Sequence, residues 1–220
     1  MPALIELEAF WRSDVLAASE ATLRRRLQAH PTGQFVAVAP SGQLLGAMYT
    51  QRVASRECLL STTRESELEL HTPSGAVVHL LGVVQRAGAN VGDLLRRYVL
   101  HLVRLDATVE VACGVTRCRS FEASSGVEYQ AHVDRGDDPG LLFHSSAGAR
   151  IGSLVAGYRP LDTANLGHGV LVCYDQLASL PAIDSHQLLP YLLDQLEGSL
   201  MLPPPLPVTV VQQQQQQQQQ

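Results

Sequence analysis

The succession of patterns along the chain predicts an α/β fold, a mixed sheet flanked by helices. Three observations carry this. Phe35 to Ala39 and Leu44 to Arg52 are apolar or alternating runs separated by Pro40, Ser41 and Gly42, the chemistry of a tight turn between antiparallel strands. Ala76 to Val84 reads as a buried strand, and Gly92 to Leu105 has apolar residues at Leu94, Leu95, Tyr98, Val99, Leu102 and Val103, a helical spacing. A further strand, Thr108 to Val115, follows directly and completes a strand, loop, helix and strand unit, whose crossover connection joins parallel strands.

The remaining elements fit around these. Ala18 to His30 reads as an amphipathic surface helix with Leu23 and Leu27 inside, Arg24, Arg25 and Arg26 on a solvated face, and a stop at Pro31. Strands are expected at Ile151 to Val155 and Gly169 to Tyr174, and a last amphipathic helix around Leu188 to Leu200. Beyond Leu202, four prolines (203–205 and 207) and the glutamine run Gln212 to Gln220 offer no apolar face to bury. Residues 1–202 are therefore expected to form one domain, and 203–220 a disordered tail.

Composition narrows the function. The 220 residues are 45% hydrophobic and 17% charged, a globular profile. Sixteen basic against 21 acidic residues give a net charge of -5, so neither nucleic acid nor a membrane surface is favoured as a partner. Every basic residue is arginine, which excludes a Schiff-base lysine, a lysine general base and a P-loop lysine. Cys58, Cys113, Cys118 and Cys173 show no zinc-ligand spacing and read as reduced and mostly buried; no metal ligand set is expected. The first residues carry Glu6 and Glu8 and no basic segment, so a cytoplasmic location is expected.

Between the predicted strand ending near Val84 and the helix opening at Gly92 lies Gln85-Arg86-Ala87-Gly88-Ala89-Asn90. A glycine-bearing loop leading into a helix N-terminus is an anion-binding arrangement, because free amides and the helix dipole face it. The order of elements and this loop resemble the GNAT acyltransferase superfamily, whose signature is roughly Q/R-x-x-G-x-G/A. Asn90 stands where a small residue belongs, and a second register ends on Gly92. A more specific resemblance lies downstream. Phe143-His144, Gly148-Ala149, Tyr158-Arg159-Pro160, Asp162, Asn165, Gly167 and Gly169-Val170-Leu171 are similar to the pattern of GNAT-like domains in polyketide synthase loading modules, as is Gly114-Val115-Thr116-Arg117-Cys118.

The resemblance, over residues 10–178, implies a GNAT-like fold with a central mixed, mainly antiparallel sheet flanked by helices. It implies decarboxylation of a malonyl or methylmalonyl thioester on coenzyme A or on the phosphopantetheine arm of an acyl carrier protein, with S-acyl transfer to the carrier also attributed to the family. Acyl-CoA and the carrier protein are then the partners, and the thioester is substrate, so no permanently bound cofactor is expected. The family's catalytic residues fall on Thr116 and His144, and its substrate-binding residues on Arg159 and Trp11. Gln85, Arg86, Gly88, Asn90, Val91 and Gly92 form the expected coenzyme A loop. Elementary chemistry agrees: loss of CO2 leaves a thioester enolate, which needs a donor at the developing oxyanion and a proton at carbon.

Plainer roles also fit these residues. His144 beside Phe143 can be a hydrogen-bonded structural group, Thr116 a strand-end cap, and Arg159 a turn residue paired with Asp162. Two other functions remain open: an amine N-acetyltransferase, for which Tyr174 and Glu128 are the candidate acid and base, and a non-catalytic domain that docks carrier proteins.

Overall fold

In the computed structural model, which describes residues 1–11, 16–177 and 210–212, the first expected helix is fixed by its cap: the Ser19 hydroxyl accepts the Thr22 amide at 3.1 Å. This helix, α2 (Glu20–Ala29), follows a short α1 (Pro2–Glu8) that no sequence pattern marked. The hairpin forms from β1 (Gln34–Val38) and β2 (Leu44–Val53), with Gly42 at φ +84°, a left-handed turn geometry that a Cβ disfavours. The crossover unit is β3 (Val77–Gln85), α3 (Gly92–Leu105) and β4 (Val111–Thr116). The last strand starts later than Thr108 because the Asp106 carboxylate accepts both the amide and the hydroxyl of Thr108, holding it in a turn.

Two helices unmarked in the sequence follow, α4 (Tyr129–Arg135) and α5 (Pro139–Ser145), and then β5 (Arg150–Val155) and β6 (Gly169–Tyr174). Within the expected tail, Val210–Gln212 forms a three-residue strand, β7, beside β1. The helix expected at 188–200 lies outside the described residues, as does the rest of the tail. Among the described residues the sheet order is β5-β6-β4-β3-β2-β1-β7, and only β3 and β4 run parallel, so the sheet is mixed and mainly antiparallel.

Strand alternation divides the core between the two faces. On one, Val78, Leu80, Ala112, Val172 and Tyr174 pack against Leu95, Val99 and Val103 of α3. On the other, Ala47, Tyr49, Leu81 and Val84 pack against Leu7 of α1 and Leu23 of α2, while Val115, Leu171 and Cys173 pack against Tyr158. Arg26 corrects the solvated-face reading of α2: it is only 2% exposed, its guanidinium 4.8 Å from the Tyr49 ring centre. Three of the four free cysteines are buried and Cys58 is partly so.

The feature that positions the site is where β3 and β4 part. Their pairing covers four residues and ends at Leu80 and Gly114. The next residue, Leu81, is an extra one in the ladder with β2: Tyr49 pairs with Gly82 and Thr50 with Leu80. Such a bulge bends its strand and increases its twist. β3 therefore turns away from β4, leaving Leu81–Gln85 and Val115–Thr116 as facing edges unpaired with each other.

The α3 interface supplies the rigidity behind this opening. Leu95, fully buried in that interface, tests it: Leu95→Ala should lower unfolding free energy by about 2–5 kcal/mol in a denaturant titration.

Candidate active site

Thr116 ends β4 directly opposite Val170 of β6, which places its side chain on the α3 face. It is partly buried, and its hydroxyl makes one long hydrogen bond, 3.5 Å to the Arg117 carbonyl, so neither capping nor back-bonding uses it fully. His144 reaches the same face from α5. Its Nδ1 lies 2.9 Å from the Tyr174 hydroxyl, while Nε2 makes no hydrogen bond and is not sealed from solvent. No hydrogen bond links His144 to Thr116.

Asp138 holds these two segments together. It caps α5 through the amides of Gly140 and Leu141, and also accepts the amides of Arg119 and Ser120 from the loop after Thr116. Burial opposes its charge; the Ser120 and Arg119 amides, with His132 and the Ser120 hydroxyl, more than offset this and hold its pKa low. Cys118, His132 and Asp138 place three potential metal-ligand atoms within 4.8 Å of one another. The carboxylate there is already bonded to four amides, the Ser120 hydroxyl and His132, so this donor set serves as a strut.

Arg96 sets the electrostatics of His144. Its guanidinium stacks 4.0 Å from the Phe143 ring centre, joining α5 to the second turn of α3. It is 1% exposed, pairs with Asp93, and leaves Nε and Nη1 without a hydrogen-bond partner. Burial, with Arg96 and Arg119 adding to it, lowers the His144 pKa to about 3, so the ring is neutral at physiological pH. Tyr174 is pushed up to about 12 by burial and keeps its proton. With Arg96 beside the phenol oxygen, the arrangement that satisfies all three groups has the Tyr174 hydroxyl donating to Nδ1, which leaves the imidazole proton on Nε2, facing outward.

Arg159 and Trp11 sit on the opposite face. Arg159 follows the buried Tyr158, its guanidinium 5.7 Å from that ring centre, with Nε and Nη1 unpartnered. Asp162 pairs with Arg117 at 2.8 Å, leaving no Arg159–Asp162 bridge in the turn. Trp11 packs, partly buried, against the α1, Tyr49 and Leu81 cluster. The four residues are thus divided two and two across the sheet, with the parting of β3 and β4 between the pairs.

In the loop entering α3, the Gln85 side chain accepts the Gly92 amide at 2.6 Å and caps the helix. Arg86 is turned away: it donates to the Leu44 carbonyl and Glu6 and lies over Phe10. Gly88 and Asn90 take φ of +75° and +50°, and Val91 is buried in the core. The first-turn amides of Asp93 and Leu94 carry no backbone hydrogen bond and remain the free donors of this end. A cavity of about 340 Å³ beside Arg56, Glu57, Glu110 and Asp175 lies near the first residues of β3 and β4, at the end of the sheet away from this loop.

Sequence reasoning passed over Arg96, Arg64 and Glu67. For Arg96 a signal existed: it lies at helical spacing in a buried series with Gly92, Val99, Leu100 and Val103, where a charged residue is out of pattern. Glu67 sits in a 3-10 turn, Glu67–Leu70, whose sequence neighbours include Glu65 and Glu69 and mark nothing.

No protein-family model and no curated protein sequence matches the chain. Among solved structures it is similar to the GNAT-like decarboxylase GphF in complex with isobutyryl-CoA, at 37% identity and TM-score 0.73, covering 78% of this chain and 92% of that one. It is also similar to the loading GNATL domain of CurA from Lyngbya majuscula, at 34% identity and TM-score 0.74, covering 79% and 92%. Malonyl-CoA decarboxylase from Cupriavidus metallidurans, 13% identical at TM-score 0.51 and matched over 89% of this chain and 61% of that one, shares the fold. Identity above 30% across nine-tenths of the first two, with the same arrangement of strands and helices, places this chain in the GNAT superfamily, in the branch of the GNAT-like decarboxylase and loading domains.

Proposed function

We propose that this chain decarboxylates a malonyl or methylmalonyl thioester, carried on coenzyme A or on the phosphopantetheine of an acyl carrier protein, to supply an acyl starter for polyketide-type synthesis. The observation that carries the reading is the neutral His144, with Nδ1 held by Tyr174 and Nε2 open, in a chain 37% identical to a GNAT-like decarboxylase. Cleavage of the bond to the carboxyl carbon sends its electron pair into the thioester, and negative charge develops on the carbonyl oxygen. A neutral imidazole N–H aimed at that oxygen is a donor that stabilises the charge as it develops there. A proton from solvent water then adds to the α-carbon and yields the acyl thioester.

Thr116 supplies a hydroxyl with spare hydrogen-bonding capacity at the end of β4. The unpaired edges of β3 and β4 offer backbone donors and acceptors to an extended amide chain such as pantetheine. The free amides at the start of α3 suit its phosphates. An amine N-acetyltransferase site is less well supplied, because Glu128 is exposed at the start of α4 while Tyr174 is buried and bonded to His144.

Incubation with malonyl-CoA and methylmalonyl-CoA, with and without pantetheinylated carrier, is expected to release CO2, and the mass of the carrier reports any S-acyl transfer. His144→Ala should lower kcat by about 10²–10³-fold, the cost of one oxyanion donor. Turnover unaffected by that substitution would reject the assignment.

The pH profile gives a second check. Because kcat/KM reports free-enzyme ionisation, its His144 limb should lie well below the ordinary histidine value of about 6.5, with activity level from pH 8 to about pH 5. Arg96→Met removes a cation that disfavours imidazolium, so the limb should move upward in pH.

A further inference from the structure

The sheet face opposite His144 gathers more positive charge than the protein itself balances. Arg26, Arg64 and Arg159 surround one buried carboxylate, Glu67. Glu67 Oε1 pairs with Arg64 and lies 3.7 Å from Arg26, while Oε2 accepts the Tyr158 hydroxyl. The nearby Glu8 is also buried, and its oxygens are taken by the Tyr49 hydroxyl and the Ala18 amide. Asp162, also buried, faces Arg159 but is already paired with Arg117, so four guanidiniums face three carboxylates. Arg26, 2% exposed, has Nε and Nη2 without a hydrogen-bond partner, and Arg159 has Nε and Nη1 in the same condition. Buried donors of this strength are costly when unsatisfied, and an uncompensated buried charge is costlier still.

The cluster stands at the parting of the strands. Arg64 Nη1 donates to the carbonyl of Leu81, the bulged residue, at 2.9 Å. Its backbone amide bonds the Tyr158 carbonyl, one residue before Arg159. Arg64 Nη2 makes no hydrogen bond and is not sealed off, and it borders open space: a Cβ built on Gly82 would meet that nitrogen at 3.9 Å and no other atom within 4 Å. Burial works against the charge of Arg64, and Glu67 and Tyr158 more than offset it, so this guanidinium stays cationic.

We propose that Arg64, oriented by Glu67, acts with Arg159 as the site that holds the free carboxylate of the substrate's acyl group, so that the bound substrate completes the charge balance of the cluster. The assignment of Arg64 and Glu67 rests on the decarboxylase reading and adds to it the residues that choose a carboxyacyl over a plain acyl thioester. The carboxylate's charge drains into the thioester as CO2 forms, so guanidiniums hold it more strongly before the reaction than in the transition state, and this contact governs binding and discrimination and does not speed bond cleavage.

Steady-state kinetics on the full chain separates these roles. Arg64→Gln should raise KM for malonyl-CoA more than tenfold, change kcat less than threefold, and leave unchanged the Ki of acetyl-CoA, which lacks the carboxylate. Arg64→Lys, which keeps the charge and the pairing with Glu67 but loses the planar fork, should fall between wild type and Arg64→Gln, and it serves as the test if Arg64→Gln does not fold. KM and Ki rising together, or KM unchanged, would overturn the assignment. If the wild type releases no CO2, the decarboxylase reading fails instead, and equilibrium titration with the same two thioesters decides the site: a preference for malonyl-CoA lost in Arg64→Gln supports it, and equal binding by the wild type rejects it.

Discussion

The geometry of this protein depends on the early end of one parallel strand pairing. β3 and β4 hold together for four residues, and the extra residue at Leu81 then turns β3 aside. Pairing carried two residues further would bring Thr116 of β4 beside β3 and close the sheet. With the strands apart, backbone polar groups are exposed along two edges, and side chains from both faces border one opening. Three parts of the fold are tied to the strands around it: Arg64 through the bulge carbonyl, the α3 N-terminus through the loop that follows β3, and α5 through the stacking of Phe143 on Arg96.

The two sides of that opening have different electrostatics. On the α3 side, burial and two nearby guanidiniums keep the His144 ring neutral. On the other side, guanidiniums are buried in excess of carboxylates. Arginine suits both tasks because its charge survives burial: Arg26 is lowered only to about 10, where a lysine in the same place would be far closer to losing its proton. The all-arginine composition thus permits charge in the interior that lysine would surrender.

Much of the fold was legible because apolar periodicity is a strong signal. α3 and β6 begin and end where the pattern places them, and β1, β2, β3 and β5 differ from it by one residue or so at their ends. The helix carrying His144 was not legible: α5 is seven residues long and defined by the Asp138 cap and Pro139 more than by periodicity. The motif resemblance supplied Thr116, His144, Arg159 and Trp11, but not their division between the two faces, which follows from strand register and the loop after β5. Arg26 was misread for a related reason. On α2 it looks like its exposed neighbours Arg24 and Arg25, and only tertiary partners, the Tyr49 ring and the Glu67 carboxylate, hold it inside.

The bond between Glu67 and Tyr158 joins residues 91 apart in sequence. Closing so long a loop costs entropy that is recovered only when the second half of the sheet is in place. A chain growing from its N-terminus presents Arg26, Arg64 and Glu67 to water long before Tyr158 and Arg159 emerge, so these charges stay hydrated while β1, β2 and β3 assemble. The full dehydration of Glu67 and Arg64 awaits the docking of the 156–168 loop, which brings the Tyr158 hydroxyl and carbonyl to them. The environment that distinguishes this face of the protein is thereby among the last things folding creates, and a partly built chain holds the charges without the enclosure that gives them their strength.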